Sequence, residues 1–226
     1  FVPSVVRGAA TGGGFVVTRN GETTNPLTLQ LTVGGSAGAS TVSPAIPTSV
    51  VIPANARETE IPWLALKGAQ PLGAKTLTVT IASNSAYDIG TLSSATATII
   101  DPPFDAWRFA RFNSTQLSNA NISGPDADPD GNGATNLVDF FSGNSKPSLL
   151  SQDGKLYLSF LRHQDANGMK MKVWESGDMT NWQLTPQLAV PELYETQGDW
   201  RKISLPVRAS NPFANGQRFF QLRIEN

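Results

Sequence analysis

Across residues 1–101 the chain reads as short runs in which apolar and polar side chains alternate. The clearest is Leu27-Thr-Leu29-Gln-Leu31-Thr-Val33. A period of two puts every second side chain on one face, so this run predicts a strand with one face buried. Phe15 and Val17 repeat the period before the turn Asn20-Gly21, and so do Ile61, Trp63 and Ala65, then Leu77, Val79 and Ile81, then Ala95, Ala97 and Ile99. Gly, Pro and Asn punctuate the runs, and no helical period intervenes. The stretch predicts an antiparallel β-sandwich.

Asp101-Pro102-Pro103 ends this pattern, because two prolines remove ladder donors and stiffen a linker. Phe104, Trp107, Phe109, Ala110 and Phe112 then recur at helical spacing and predict a short helix over 104–112. Residues 113–125 show no period. A second short helix is expected from Asn136 to Phe141, stopped by Gly143 with Pro147 beyond. Trp107, Phe109, Phe112, Phe140 and Phe141 are expected to form a small core between the two helices. From residue 148 the strand period returns in Leu156/Leu158/Phe160, Met169/Met171/Val173, Ile203/Leu205 and Phe220/Leu222/Ile224. The reading is mainly β: a sandwich over 1–101, a helical connector over 102–147 and a smaller sandwich over 148–226.

One stretch dictates a chemistry. In Asp126-Ala-Asp-Pro-Asp-Gly-Asn-Gly-Ala-Thr-Asn-Leu-Val-Asp139, taking Asp128 as position 1 of a twelve-residue loop puts Asp130 at 3, Asn132 at 5, Gly133 at 6, Ala134 at 7, Asn136 at 9 and Asp139 at 12. That is the ligand spacing of an EF-hand loop. A hard cation takes six to eight oxygens; carboxylates and amides would supply them at the odd positions and at 12, and position 7 would supply a backbone carbonyl. The expected metal ligands are Asp128, Asp130, Asn132, Ala134, Asn136 and Asp139, and the expected ion is Ca2+. Asp126 is left outside the set. Asp and Gly also make ordinary turns, but here the matched positions run straight into the apolar face Leu137, Val138, Phe140 and Phe141. With Asp at position 12, the loop resembles those of dockerins and thrombospondin type 3 repeats. Standing alone, it suits a structural clamp better than a sensor.

Further resemblances follow from longer pieces. Phe15-Val-Val-Thr-Arg-Asn-Gly21, Pro26-Leu-Thr-Leu29 with Gly34-Gly35-Ser36-Ala37, Val51 to Ile61, Tyr87-Asp-Ile-Gly90 and Ala95 to Asp101 resemble, in order, the Calx-beta domain. That resemblance implies a sandwich with acidic calcium sites near the first strand, in an Asp-Tyr turn and before the sixth strand. Here those regions read Arg7 to Thr11, Thr41 to Pro44 and Leu66 to Leu72, and none has a carboxylate. The first sandwich is therefore expected to have lost its metal sites and to serve as a spacer or interaction module. Trp107 to Pro147 resembles a connector of very large secreted bacterial proteins. Leu156 to Phe160, Val173 to Trp182 and Arg218 to Ile224 resemble the C-terminal module that follows it, which implies a piece from the C-terminal part of something longer.

Composition narrows the rest. The chain has 226 residues, Lys+Arg 17 against Asp+Glu 18, no Cys and one His. Near-neutral charge argues against nucleic acid as partner, and the missing Cys excludes thiolate metal sites and thiol catalysis. No apolar run reaches the eighteen or so residues of a membrane span. The chain starts at Phe1 without a signal-like segment, so a mature protein or a fragment is expected. His163 alone could serve as a catalytic base, and its setting Arg162-His-Gln-Asp165 reads as a strand end or a loop, with the imidazole in contact with solvent.

Two functions remain open. One is a non-catalytic, secreted or cell-surface bacterial module, structural or adhesive, stiffened by calcium and joining copies of itself or neighbouring domains. The other is a polysaccharide-binding accessory to an enzyme, which would need Trp174, Trp182, Tyr194 or Trp200 exposed on a flat sheet face rather than packed in the sandwich.

Overall fold

The computed structural model describes residues 4–143, 145–166, 169–185, 193–207 and 218–225. The chain forms two compact units, Phe1–Asn113 and Ser114–Asn226.

The first unit is a β-sandwich. Its strands are β1 (Ser4–Val6), β2 (Gly13–Thr18), β3 (Leu27–Gly34), β4 (Val42–Ser43), β5 (Ser49–Ile52), β6 (Glu58–Ala65), β7 (Lys75–Ile81) and β8 (Ser94–Ile100). One sheet has the order β1-β8-β7-β3-β5 and the other β2-β6-β4. Alternation of burial along β6, with Ile61, Trp63 and Ala65 inward and Glu60, Pro62 and Leu64 outward, is the pleat expected from the sequence. The inward residues of both sheets make one core, in which Ile52, Trp63 and Ile99 are almost wholly enclosed and Phe15 stacks on Trp63 at 6.0 Å. Pairing in this unit is antiparallel except at the edge, where β1 runs parallel to β8, with Ser4 opposite Thr98. No hairpin joins these two strands, so nothing forces them antiparallel.

Helix α1 (Pro103–Arg111) belongs to this unit. Pro103 opens it, where a missing N–H costs nothing, and Asp105 pairs with Arg108 at 2.8 Å. Trp107 stacks on Phe104 and meets Phe112 edge-on. Phe109 covers Gly73, whose φ is +69° and where a Cβ would stand 2.8 Å from the ring. Glycine is required there both by the backbone and by the ring.

The second unit begins with helices α2 (Ser114–Leu117), α3 (Ala120–Ser123) and α4 (Asn136–Ser142), where the sequence had shown only a patternless connection before Asn136. Strands β9 (Ser148–Gln152), β10 (Lys155–His163), β11 (Lys170–Ser176), β12 (Gln183–Leu184), β13 (Leu193–Gln197), β14 (Trp200–Val207) and β15 (Phe219–Glu225) follow. They form the sheets β13-β14-β10-β9 and β12-β11-β15. Helix α4 packs on β10, with Phe141 on Phe160 at 6.0 Å and Phe140 on His163 at 5.6 Å. Phe140 and Phe141 thus anchor the helix to the second sandwich. Gly143 caps α4 in the left-handed region, with φ +58°. A side chain there would run into the Trp200 ring.

Candidate metal centre

The loop between α3 and α4 is closed at its base by backbone pairing. Asn136 N donates to Ala127 O at 2.8 Å and Leu137 N to Pro125 O at 3.0 Å, so the residue before position 1 is tied to position 9. Asn136 is 1% exposed, and its Nδ2 donates to Ile122 O and Gly124 O, both at 2.8 Å. These carbonyls end α3, where a helix leaves acceptors without intrahelical donors. One amide therefore joins α3 to α4.

Inside the loop, side-chain oxygens face backbone amides. Asp128 Oδ2 accepts from Gly133 N at 2.9 Å and its Oδ1 from Asn132 N at 3.2 Å. Asp130 accepts from Asn132 through both oxygens, Oδ1 from the backbone N and Oδ2 from Nδ2. Asn132 Oδ1 in turn accepts from Ala134 N at 2.7 Å. Gly131 and Gly133 have φ +68° and +85°, and a Cβ at either would meet open space. The need for glycine is thus one of backbone conformation alone.

Asp128, Asp130 and Asn132 are brought into one hydrogen-bonded group, with Ala134 held against it by its amide. Asn136 and Asp139 lie buried in the first turn of α4, Asp139 at 4% exposure with its N–H donating to Thr135 O. Among the described residues, no three carboxylate or imidazole groups converge as a metal cluster. The donor set is nevertheless all oxygen, with carboxylates at three positions and amide oxygens between them, which fits a hard cation.

A second cluster was missed in the sequence. The ends of β1, β4, β6 and β8 meet at one end of the first sandwich. Arg7 N donates to Ile100 O, Gly8 N to Ala65 O and Leu66 N to Thr41 O. At this junction Arg7 Nε stands 3.0 Å from Asp101 Oδ1, and Asp101 Oδ2 accepts from Leu72 N at 3.0 Å and Gly73 N at 2.6 Å. The Nε–Oδ1 contact is a close ion pair without the alignment of a hydrogen bond. Arg7 supplies a guanidinium at this junction. The available signal was a lone carboxylate closing an apolar strand, which needs a partner if buried.

His163 lies at a strand end, one of the two settings expected of it, but is half-buried rather than open to solvent. It ends β10 between Phe140 and an edge-on Trp200 ring at 4.9 Å, and its Nδ1 accepts from Asp165 N at 3.3 Å. Trp174, Trp182 and Trp200 are half-buried, whereas the Tyr194 side chain lies outside the described ones. Near Trp182, Asp178 accepts from the Thr180 and Asn181 backbone N–H, from Asn181 Nδ2 and from Ser176 Oγ. Asn181 above all, through its backbone and its side chain, holds the Asp178 carboxyl far below the usual carboxylate range.

No family model and no curated protein matches the chain. Among solved structures, the calcium binding domain CBD12 of CALX1.1 overlaps it at TM-score 0.45 and 12% identity, over 90% of this chain and 71% of that one. CBD12 from CALX1.2 overlaps at 0.45 and 12%, over 98% and 75%, and the apo-form Calx CBD1 domain at 0.37 and 14%, over 44% and 90%. Overlap this loose does not place the chain in their family.

Proposed function

We propose that the chain is a non-catalytic, calcium-stabilised β module of the bacterial exterior, acting in a surface or filament assembly or as the C-terminal part of a larger secreted protein. The observation that carries this reading is the loop itself. Asp128, Asp130 and Asn132 gather their oxygens around two left-handed glycines, between a base tied at Ala127–Asn136 and a helix packed on β10. Asp128, Asp130, Asn132, Asn136 and Asp139, with the Ala134 carbonyl, would hold the ion. Bound there, Ca2+ supplies the positive charge that offsets the mutual repulsion of the carboxylates. The chain's part is mechanical: α4 carries the tension of the loop to Phe160 and His163 through Phe141 and Phe140.

Partners would be further copies or neighbouring domains, joined through sheet edges such as β9, whose five residues are all exposed. Native mass and negative-stain imaging, with calcium and with chelator, test the assembly role. Ordered polymers that need calcium support it, and a monomer under both conditions removes it. The second reading, polysaccharide binding, is favoured by the half-buried Trp174, which lies on the face of β11 opposite the buried Val173 and Glu175.

A further inference from the structure

The outer face of the sheet β12-β11-β15 gathers positive charge. Val173 and Glu175 of β11 are buried, so the alternate residues Lys170, Lys172 and Trp174 lie on the opposite face. The register sets Arg223 beside Lys172, and places Gln221 and Leu184 on either side of Trp174. Gln221 and Arg223 are exposed, as is Leu184. Arg223 lies 4.3 Å above the centre of the Trp174 ring, and its Nε donates to Gln221 Oε1 at 3.0 Å. Trp174 Nε1 has no hydrogen-bond acceptor among the described residues. Glu225 stands opposite Lys170 at the end of the register, while Glu175 is buried on the other face beside Gln183 and Arg218. Arg223 on the indole with Lys172 beside it, and Lys170 two positions further along the same face, are a local excess of cations in a chain of net charge -1.

We propose that this face binds an acidic polysaccharide of the uronate type. Its carboxylates meet Lys170, Lys172 and Arg223, and the C–H faces of its sugar rings rest on Trp174 and Leu184. Arg223 holds the indole as a cation–π pair until an anion draws the guanidinium off the ring. A polymer with one carboxylate per sugar needs few cations, whereas a nucleic-acid surface draws on many phosphate contacts and a strongly basic domain. The chain's pI of about 5.8 favours the first. This inference gives the polysaccharide reading its substrate class.

The test is affinity electrophoresis of the full chain through polygalacturonate, dextran or single-stranded DNA, all in chelator so that calcium does not cross-link the polymer. The expected results are retardation by polygalacturonate alone, weakening as salt rises, and binding roughly tenfold weaker for Lys172→Glu/Arg223→Glu. The melting curve of that variant shows whether it folds, and the single Arg223→Gln change gives a milder second reading. Retention by dextran as strong as by polygalacturonate, tighter retention by DNA, no retention at all, or undiminished binding by a folded double variant would each overturn the proposal. Because calcium is absent throughout, a negative result here leaves the calcium loop standing, and failure of the loop to bind calcium leaves this face standing.

Discussion

Arg7 and Asp101 are locked together at one end of the first sandwich, Nε to Oδ1 at 3.0 Å, with their side chains 3% and 1% exposed. Two ions taken this far out of water repay their desolvation only through each other and through further hydrogen bonds. Arg7→Met therefore strands a carboxylate and is expected to cost about 3–5 kcal/mol. Asp101→Asn leaves an oxygen for the Leu72 and Gly73 amides but strands the guanidinium. The double variant is expected to be more stable than either single one. Urea unfolding of the four proteins checks this, and additive losses would mean the pair is not coupled.

Asn136 separates architecture from metal binding. Its amide satisfies two buried carbonyls of α3, so Asn136→Ala should destabilise the second unit by about 2–4 kcal/mol even in chelator, at roughly 1–2 kcal/mol per stranded acceptor. A melt in chelator unaffected by the substitution would show that position 9 matters only when metal is bound.

Gly133 tests the loop backbone. With φ +85° and open space where a Cβ would stand, Gly133→Ala should cost only the left-handed penalty, about 1–2 kcal/mol, and should also weaken calcium binding. Gly133→Asn should be milder, since Asn tolerates this region. Comparing the melts of the two variants decides whether backbone strain is the cause.

The carboxyl of Asp178 is expected to stay ionised well into acid. Its pKa is depressed in the folded chain by hydrogen bonds to Asn181, Thr180 and Ser176. The stability it contributes is therefore fully present above the ordinary carboxylate value near 3.8 and is lost only as pH falls toward the lower folded value. Carbon-13 detection of the Asp178 carboxyl across an acid titration should place its midpoint below the ordinary carboxylate value near 3.8. A midpoint shared with exposed aspartates would mean the turn is not formed in solution.

Much of the frame was legible in side-chain period. The alternation from Leu27 to Val33 became β3, although Val33 is 46% exposed because the strand outlasts the core. Strands without a period were missed. The five residues of β9 are all exposed, and β4 has only two residues, so each is set by its pairing partner rather than by its own pattern. Helices α2 and α3 have four residues each, too few for a period, and α3 is held by the distant Asn136. The turn in the loop was readable because Gly131 and Gly133 stand where the backbone takes a left-handed conformation, with φ +68° and +85°. The Arg7–Asp101 pair was not, because its members lie at opposite ends of the first sandwich's sequence and only the fold brings them together.

The most direct test of the calcium clamp is thermal unfolding of the intact chain and of Asp128→Ala, each in calcium and in chelator, with calorimetric titration of calcium alongside. With calcium at about a hundred times its Kd, linkage adds about 2.7 kcal/mol, which raises the melt of a unit this size by on the order of ten degrees. That rise is expected for the native chain, with about one calcium bound, and its loss is expected in Asp128→Ala. Identical melts in calcium and chelator, with no heat of calcium binding, would contradict the calcium clamp.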